Sequence, residues 1–206
     1  MAAAILTTGL VMDRMGQGQD PGPGTSIKLL PANDGTNGIE LWKTNGSAAG
    51  TVMVKDINTR AGASSSPNGF TELNGTYYFQ ADDGINGIEL WKTDGTAAGT
   101  VLVKDINVGG SSSPQGFAVL NGILYFSADD GVNGTEVWKT DGSAAGTVMV
   151  KDINTSPTLD VRPSGFTAFN GAMYFQAYQP ATGAELWKTD GTADGTVLVK
   201  DINIGM

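Results

Sequence analysis

The sequence predicts an all-β chain. Its expected form is a β-propeller of four-stranded antiparallel blades, about four per chain with the first incomplete. Three observations carry this. The tryptophans Trp42, Trp91, Trp138 and Trp187 follow one another at 49, 47 and 49 residues. Around them one string returns almost unchanged: GIELWKTNGSAAGTVMVKDIN, GIELWKTDGTAAGTVLVKDIN, GTEVWKTDGSAAGTVMVKDIN and GAELWKTDGTADGTVLVKDIN. Self-similarity at such a period marks a repeat architecture. Second, each full unit reads as four short strands parted by Gly-, Asn- and Asp-rich turns. Third, those strands are apolar on both faces, so each small sheet needs a neighbour on either side, which is how blades stack. A linear β-solenoid of the same hairpins is the alternative.

Within the unit Thr59–Asn107 the strands fall in order. The first is Gly69–Leu73, ended by Asn74-Gly75, because both central positions of a type I′ hairpin turn favour positive φ. The second is Thr76–Ala81 and the third Ile88–Thr93; aromatic and β-branched residues dominate both. The fourth spans Thr100–Ile106, with Val101 and Val103 placed opposite Leu102 and Ile106. Helix is disfavoured, since no apolar pattern repeats at 3.6 residues. Units 108–154 and 155–203 repeat this plan, and 26–58 forms a partial unit in which TSIKLLPANDGTNG stands at the second strand. Residues 1–25 lie outside the repeat and read as a leader, disordered or contributing one closing strand (Ala3–Met12). Their short apolar run lacks the preceding basic residues of a signal peptide.

The string ELWKTDGTAAGT…VKDIN resembles the bacterial ELWxxDGT repeat, also labelled hyalin-like, over roughly residues 36–203. The resemblance implies a repetitive propeller-type protein, secreted or at the bacterial cell surface. It implies no particular activity.

Composition narrows the function classes. The 206 residues contain no cysteine and no histidine. That removes disulfides, thiolate metal sites and the commonest general base. The net charge of −9 argues against nucleic acid as a partner. No apolar run reaches the length of a membrane span.

Three sets of residues are candidates for chemistry. The tryptophans would stack on sugars if exposed, but mid-strand placement in apolar surroundings favours packing between blades. The turns ADDGING (Asp82, Asp83) and ADDGVNG (Asp129, Asp130) offer adjacent hard oxygens that suit Ca²⁺. The same residues are what a tight turn uses for its own backbone, and the fourth unit has AYQPATG instead. The third set recurs in every unit: Glu40, Glu89, Glu136 and Glu185; Lys43, Lys92, Lys139 and Lys188; Lys55, Lys104, Lys151 and Lys200; Asp56, Asp105, Asp152 and Asp201. Such sameness suits cross-strand or inter-blade ion pairing better than catalysis, which needs one asymmetric constellation.

Function is therefore expected where the repeats diverge. Those places are the loops into the first strand and the last unit's YQPATG, holding Arg60, Asp160, Arg162, Tyr178 and Gln179. The reading that follows is a non-enzymatic structural or binding scaffold with a carbohydrate or protein ligand. The alternatives are a lectin with one weak, calcium-assisted site per blade, and a carboxylate-based hydrolase. Self-association is also expected: the incomplete first unit leaves a sheet edge, and two chains would supply eight blades.

Overall fold

The computed structural model describes residues 26–155, 161–202 and 204, and all its regular structure there is β. Fifteen strands form one three-stranded and three four-stranded antiparallel sheets, each a meander of consecutive strands. Blade 1 holds β1 (Lys28–Asn33), β2 (Ile39–Thr44) and β3 (Val52–Lys55). Blade 2 holds β4 (Asn68–Leu73), β5 (Thr76–Asp82), β6 (Ile88–Thr93) and β7 (Val101–Lys104). Blade 3 holds β8 (Gln115–Leu120), β9 (Ile123–Asp129), β10 (Thr135–Thr140) and β11 (Val148–Lys151). Blade 4 holds β12 (Ser164–Phe169), β13 (Ala172–Gln179), β14 (Gly183–Thr189) and β15 (Val197–Lys200). This is the propeller arrangement that the repeat predicts. The closing strand proposed at Ala3–Met12 lies outside the described residues.

The hairpin turn between β4 and β5 has the predicted chemistry: Asn74 and Gly75 both take positive φ, 53° and 78°. Among the described residues β1 is an edge strand. It tolerates Pro31 in its middle, because a proline lacks only the N–H that an edge leaves unpaired. The fourth strand is shorter than expected, ending at Lys104 instead of Ile106. The Ile106 and Asn107 amides turn away from the sheet and donate to the Glu89 carboxylate. Side-chain alternation stops with the strand. Val103 and Ile106, expected on opposite faces, therefore lie in one cluster.

The core sits between the blades. Leu41, Val54 and Ile57 of blade 1 pack against Phe79, Ala81 and Trp91 of blade 2. Leu90, Val103 and Ile106 of blade 2 meet Phe126, Ala128 and Trp138 of blade 3. Val137, Val150 and Ile153 of blade 3 meet Phe175, Ala177 and Trp187 of blade 4. Trp91, Trp138 and Trp187 are each only 6% exposed, so they are inter-blade packing residues and offer no stacking platform. At Gly69, at φ 78°, an added Cβ would fall 2.8 Å from Phe117 of the next blade, so the first strand kinks where it passes close to its neighbour.

Lysines fasten this packing. Lys43 donates to the Gly95 carbonyl at 2.9 Å and Lys55 to that of Thr100 at 2.7 Å. Lys92 and Lys104 do the same to Gly142 and Thr147, and Lys139 and Lys151 to Gly191 and Thr196. Of the ion pairing expected within the repeated set of glutamates, lysines and aspartates, these six lysines instead take backbone partners. Each lysine spends its charge on a carbonyl one blade further on, and Glu40, Glu89 and Glu136 accept backbone amides inside the protein.

Candidate functional site

Each blade passes to the next through a connector. The connectors run over residues 56–67, 105–114 and 152–163. In the first two, a buried glutamate holds the connector down. Glu40 accepts the amides of Ile57 and Ser65 at 2.7 and 2.9 Å and the Ser65 hydroxyl at 2.6 Å. Glu89 repeats this with Ile106 and Ser112 at 2.9, 2.9 and 2.6 Å. Burial raises the Glu89 carboxyl above the usual range, although four hydrogen bonds pull it down.

The third connector breaks the pattern. The serine position is occupied by Val161; its carbonyl accepts the Tyr178 amide just as the Ser65 and Ser112 carbonyls accept those of Asp82 and Asp129. Valine has no hydroxyl to give. Glu136 keeps the Ile153 amide at 3.1 Å, but its Oε1 is buried with no hydrogen-bond partner. Burial pushes the Glu136 carboxyl up to about 8, and the charges of Asp152 and Asp130 push the same way. The tryptophan Nε1 atoms and the Oδ1 atoms of Asp56, Asp105, Asp152 and Asp201 are also unpaired, but they recur in all four blades and mark no single one.

The divergent residues gather around this place. Arg162 follows Val161, is exposed, and holds a left-handed φ of 49°. Tyr178 and Gln179 end β13 opposite Ala184 and Gly183, half-buried. Asp160 lies outside the described residues. Arg60 is elsewhere, at the blade 1–blade 2 connector, where a Cβ on Gly84 would fall 3.1 Å from its Cδ and Nε. The predicted loop residues thus separate into Arg60, over the Asp82–Asn86 turn, and a corner between blades 3 and 4 made by Glu136, Arg162, Tyr178 and Gln179. Glu136 stands among the sequence candidates but is set aside there with Glu40, Glu89 and Glu185 because it repeats. The signal that distinguishes it is a valine where its neighbours have serine.

The acidic turns are occupied with their own backbone. Asp82 Oδ1 accepts the Gly84 amide at 2.6 Å, and Asp83 Oδ1 those of Ile85 and Asn86 at 2.8 Å. Asp83 Oδ2 accepts the Asn86 side-chain amide at 2.7 Å. Asp129 and Asp130 repeat this with Gly131, Val132 and Asn133. Burial pulls the Asp83 carboxyl upward, but the Asn86 and Ile85 amides outweigh it and hold it below the usual value. Among the described residues no group of three or more carboxylates is placed to hold a metal ion. Among the described residues there is no helix long and apolar enough to cross a membrane.

No family model and no curated protein sequence matches the chain. Solved structures do. A prolyl endopeptidase superposes with a TM-score of 0.52 at 13% identity, over 84% of this chain and 24% of that one. Puromycin hydrolase superposes with a TM-score of 0.53 at 14% identity, over 84% and 28%. The chain spans about a quarter of the length of these enzymes. An α-L-arabinofuranosidase from Clostridium thermocellum is a looser likeness, with a TM-score of 0.38 at 18% identity over 88% and 65%. At these identities the likeness establishes the propeller fold and nothing finer. The expectation of a non-enzymatic scaffold, with its lectin alternative, is corrected to this extent: the propellers that match at TM-scores above 0.5 belong to a prolyl endopeptidase and a puromycin hydrolase, and what they share with this chain is the fold. The repeated strings encode blade packing, which carries no mark of what a propeller does.

Proposed function

We propose that the chain is the propeller portion of a hydrolase of the peptidase type, and that the blade 3–blade 4 corner is the part that meets the peptide substrate. The observation that carries the reading is the break in symmetry at Glu136 and Val161, beside Arg162, Tyr178 and Gln179. It is the one described connector where the glutamate–serine clasp is lost, and it adjoins the β13–β14 turn, the one without a carboxylate among the corresponding turns β1–β2, β5–β6 and β9–β10. Arg162, an exposed residue, and the half-buried Tyr178 suit an extended peptide, the first for its carboxylates and carbonyls, the second for its apolar side chains. With no histidine in 206 residues, a Ser–His nucleophile has to come from another portion of polypeptide. The placing of the propeller beside such a portion is taken from the peptidases it resembles.

The test is fluorescence anisotropy with labelled proline-containing oligopeptides, on the chain and on an Arg162→Ala/Tyr178→Ala variant checked by circular dichroism. Saturable binding that weakens at least about tenfold in the variant supports the reading. Absence of binding to the chain, or equal binding by both proteins, overturns it.

A further inference from the structure

The two ends of the blade stack carry the two halves of one interface. Each internal interface pairs a rear face, with its leucine or valine, valine, isoleucine and two lysines, with a front face of tryptophan, phenylalanine and two acceptor carbonyls. Blade 4 presents a rear face that nothing covers among the described residues. Leu186, Val199 and Ile202 are 36%, 43% and 64% exposed, whereas their counterparts Leu90, Val103 and Ile106 are buried. Lys188 and Lys200 reach no carbonyl of another blade among the described residues, although their six counterparts in blades 1 to 3 all do.

Blade 1 presents the matching front face, equally uncovered among the described residues. Leu30 pairs with Trp42 as Phe79 pairs with Trp91. Both Leu30 and Trp42 are half-buried where Phe79 and Trp91 are buried. The carbonyls of Gly46 and Thr51 stand where Gly95 and Thr100 accept lysines, and no described lysine reaches them. Thr51 is exposed, whereas Thr100, Thr147 and Thr196 are buried.

We propose that a second copy of this chain docks head to tail, its blade 1 on the rear face of blade 4, so that two chains complete one eight-bladed ring. The occupant follows from the chemistry already used three times inside the chain. Lys188 of one copy would meet the Gly46 carbonyl of the other and Lys200 that of Thr51. Lys200 would also lie over the Trp42 ring, as Lys55 lies 6.0 Å from the Trp91 centroid and Lys104 5.9 Å from that of Trp138. Leu186, Val199 and Ile202 would close over Leu30 and Trp42. Such a contact is heterologous, and it ends at two copies when the rotation closes the ring.

Sedimentation equilibrium on the chain and two face variants, Leu186→Glu and Leu30→Glu, tests this. Both positions are solvent-accessible in the single chain, and circular dichroism checks that each variant is folded. The wild-type chain should sediment with the mass of two copies. Either variant alone should dissociate at least about tenfold more readily, since each spoils both contacts of the ring. An equal mixture of the two should recover a pair, because one of its contacts joins two unaltered faces. A wild-type chain that stays monomeric at every concentration overturns the proposal. So does a Leu30→Glu variant that pairs as well as wild type, which would mean like faces meeting, or a mixture that stays monomeric.

Discussion

The Lys92 ammonium crosses from blade 2 to blade 3 and donates to the Gly142 carbonyl at 2.7 Å. Beside it, the Tyr78 phenol packs so closely on Gly142 that no side chain fits there. Lys92→Met should keep the apolar stem and lose this bond, at a cost of about 1–2 kcal/mol. Urea unfolding of Lys92→Met, Lys104→Met and the pair would measure it. Since both lysines close the same interface, the double variant should lose less than the two singles together.

Glu89 and Glu136 are the same residue in sequence terms and should behave differently. Glu89→Ala strands the Ile106, Asn107 and Ser112 amides and the Ser112 hydroxyl, and should cost at least about 3 kcal/mol. Glu136→Gln puts an uncharged amide where one carboxylate oxygen already lacks a partner, and near neutral pH it should cost less than about 1 kcal/mol. Chemical denaturation of both variants at pH 7 decides it; equal losses would mean the two sites are equivalent.

Glu136 also sets a pH dependence. Its folded value of about 8 lies above the ordinary 4.5, so the folded chain holds this proton more tightly than the unfolded chain. Its contribution to stability is fully present below 4.5, declines as pH rises, and is lost once pH passes about 8. Glu89 acts in the same direction. The lowered carboxylates, such as Asp83 and Asp94, have the opposite sign, but their window lies below the ordinary 3.8. Urea midpoints measured from pH 5 to 8.5 should therefore fall for wild type and fall less in Glu136→Gln, where only the Glu89 contribution remains.

Val161→Ser restores the hydroxyl that blades 1 and 2 use. At pH 8 it should stabilise the fold by about 1 kcal/mol, by giving the charged Glu136 a donor. At pH 5, where Glu136 is protonated, the loss of buried methyl groups should dominate and cost about 1 kcal/mol. The readout is a crossing of the two melting-temperature curves between those pH values.

Asp83→Ala removes three acceptor contacts within one turn and should cost about 1 kcal/mol, a drop of about 2–4 °C in melting temperature for a chain of this size. Millimolar calcium should leave the wild-type melting temperature unmoved, because both Asp83 oxygens already serve the turn. A rise with calcium that Asp83→Ala abolishes would show a metal site there.

The repeat made the fold legible. Asn74-Gly75 announced its turn, and β6 runs from Ile88 to Thr93 as the alternation required. β7 was misjudged because its end is set by a carboxylate seventeen residues earlier in the chain, which draws the Ile106 amide out of the ladder. The lysine bonds were hidden for a related reason: a backbone carbonyl has no side chain to announce it. Glu136 was legible only by comparison, through Val161 at the position of Ser65 and Ser112.

Lys43, Lys92 and Lys139 each bridge to the adjacent blade, and no described lysine reaches further. Coupling along the chain is thus between nearest neighbours, as in a row of links. Among the described residues blades 2 and 3 are gripped on both faces, while blades 1 and 4 are gripped on one. Amide exchange in a single chain should accordingly be fastest in β1 and β15 and slowest in β5, β6, β9 and β10, because opening proceeds inward from the ends. An assembly that covered both end faces would erase that gradient, leaving no blade from which unfolding could start.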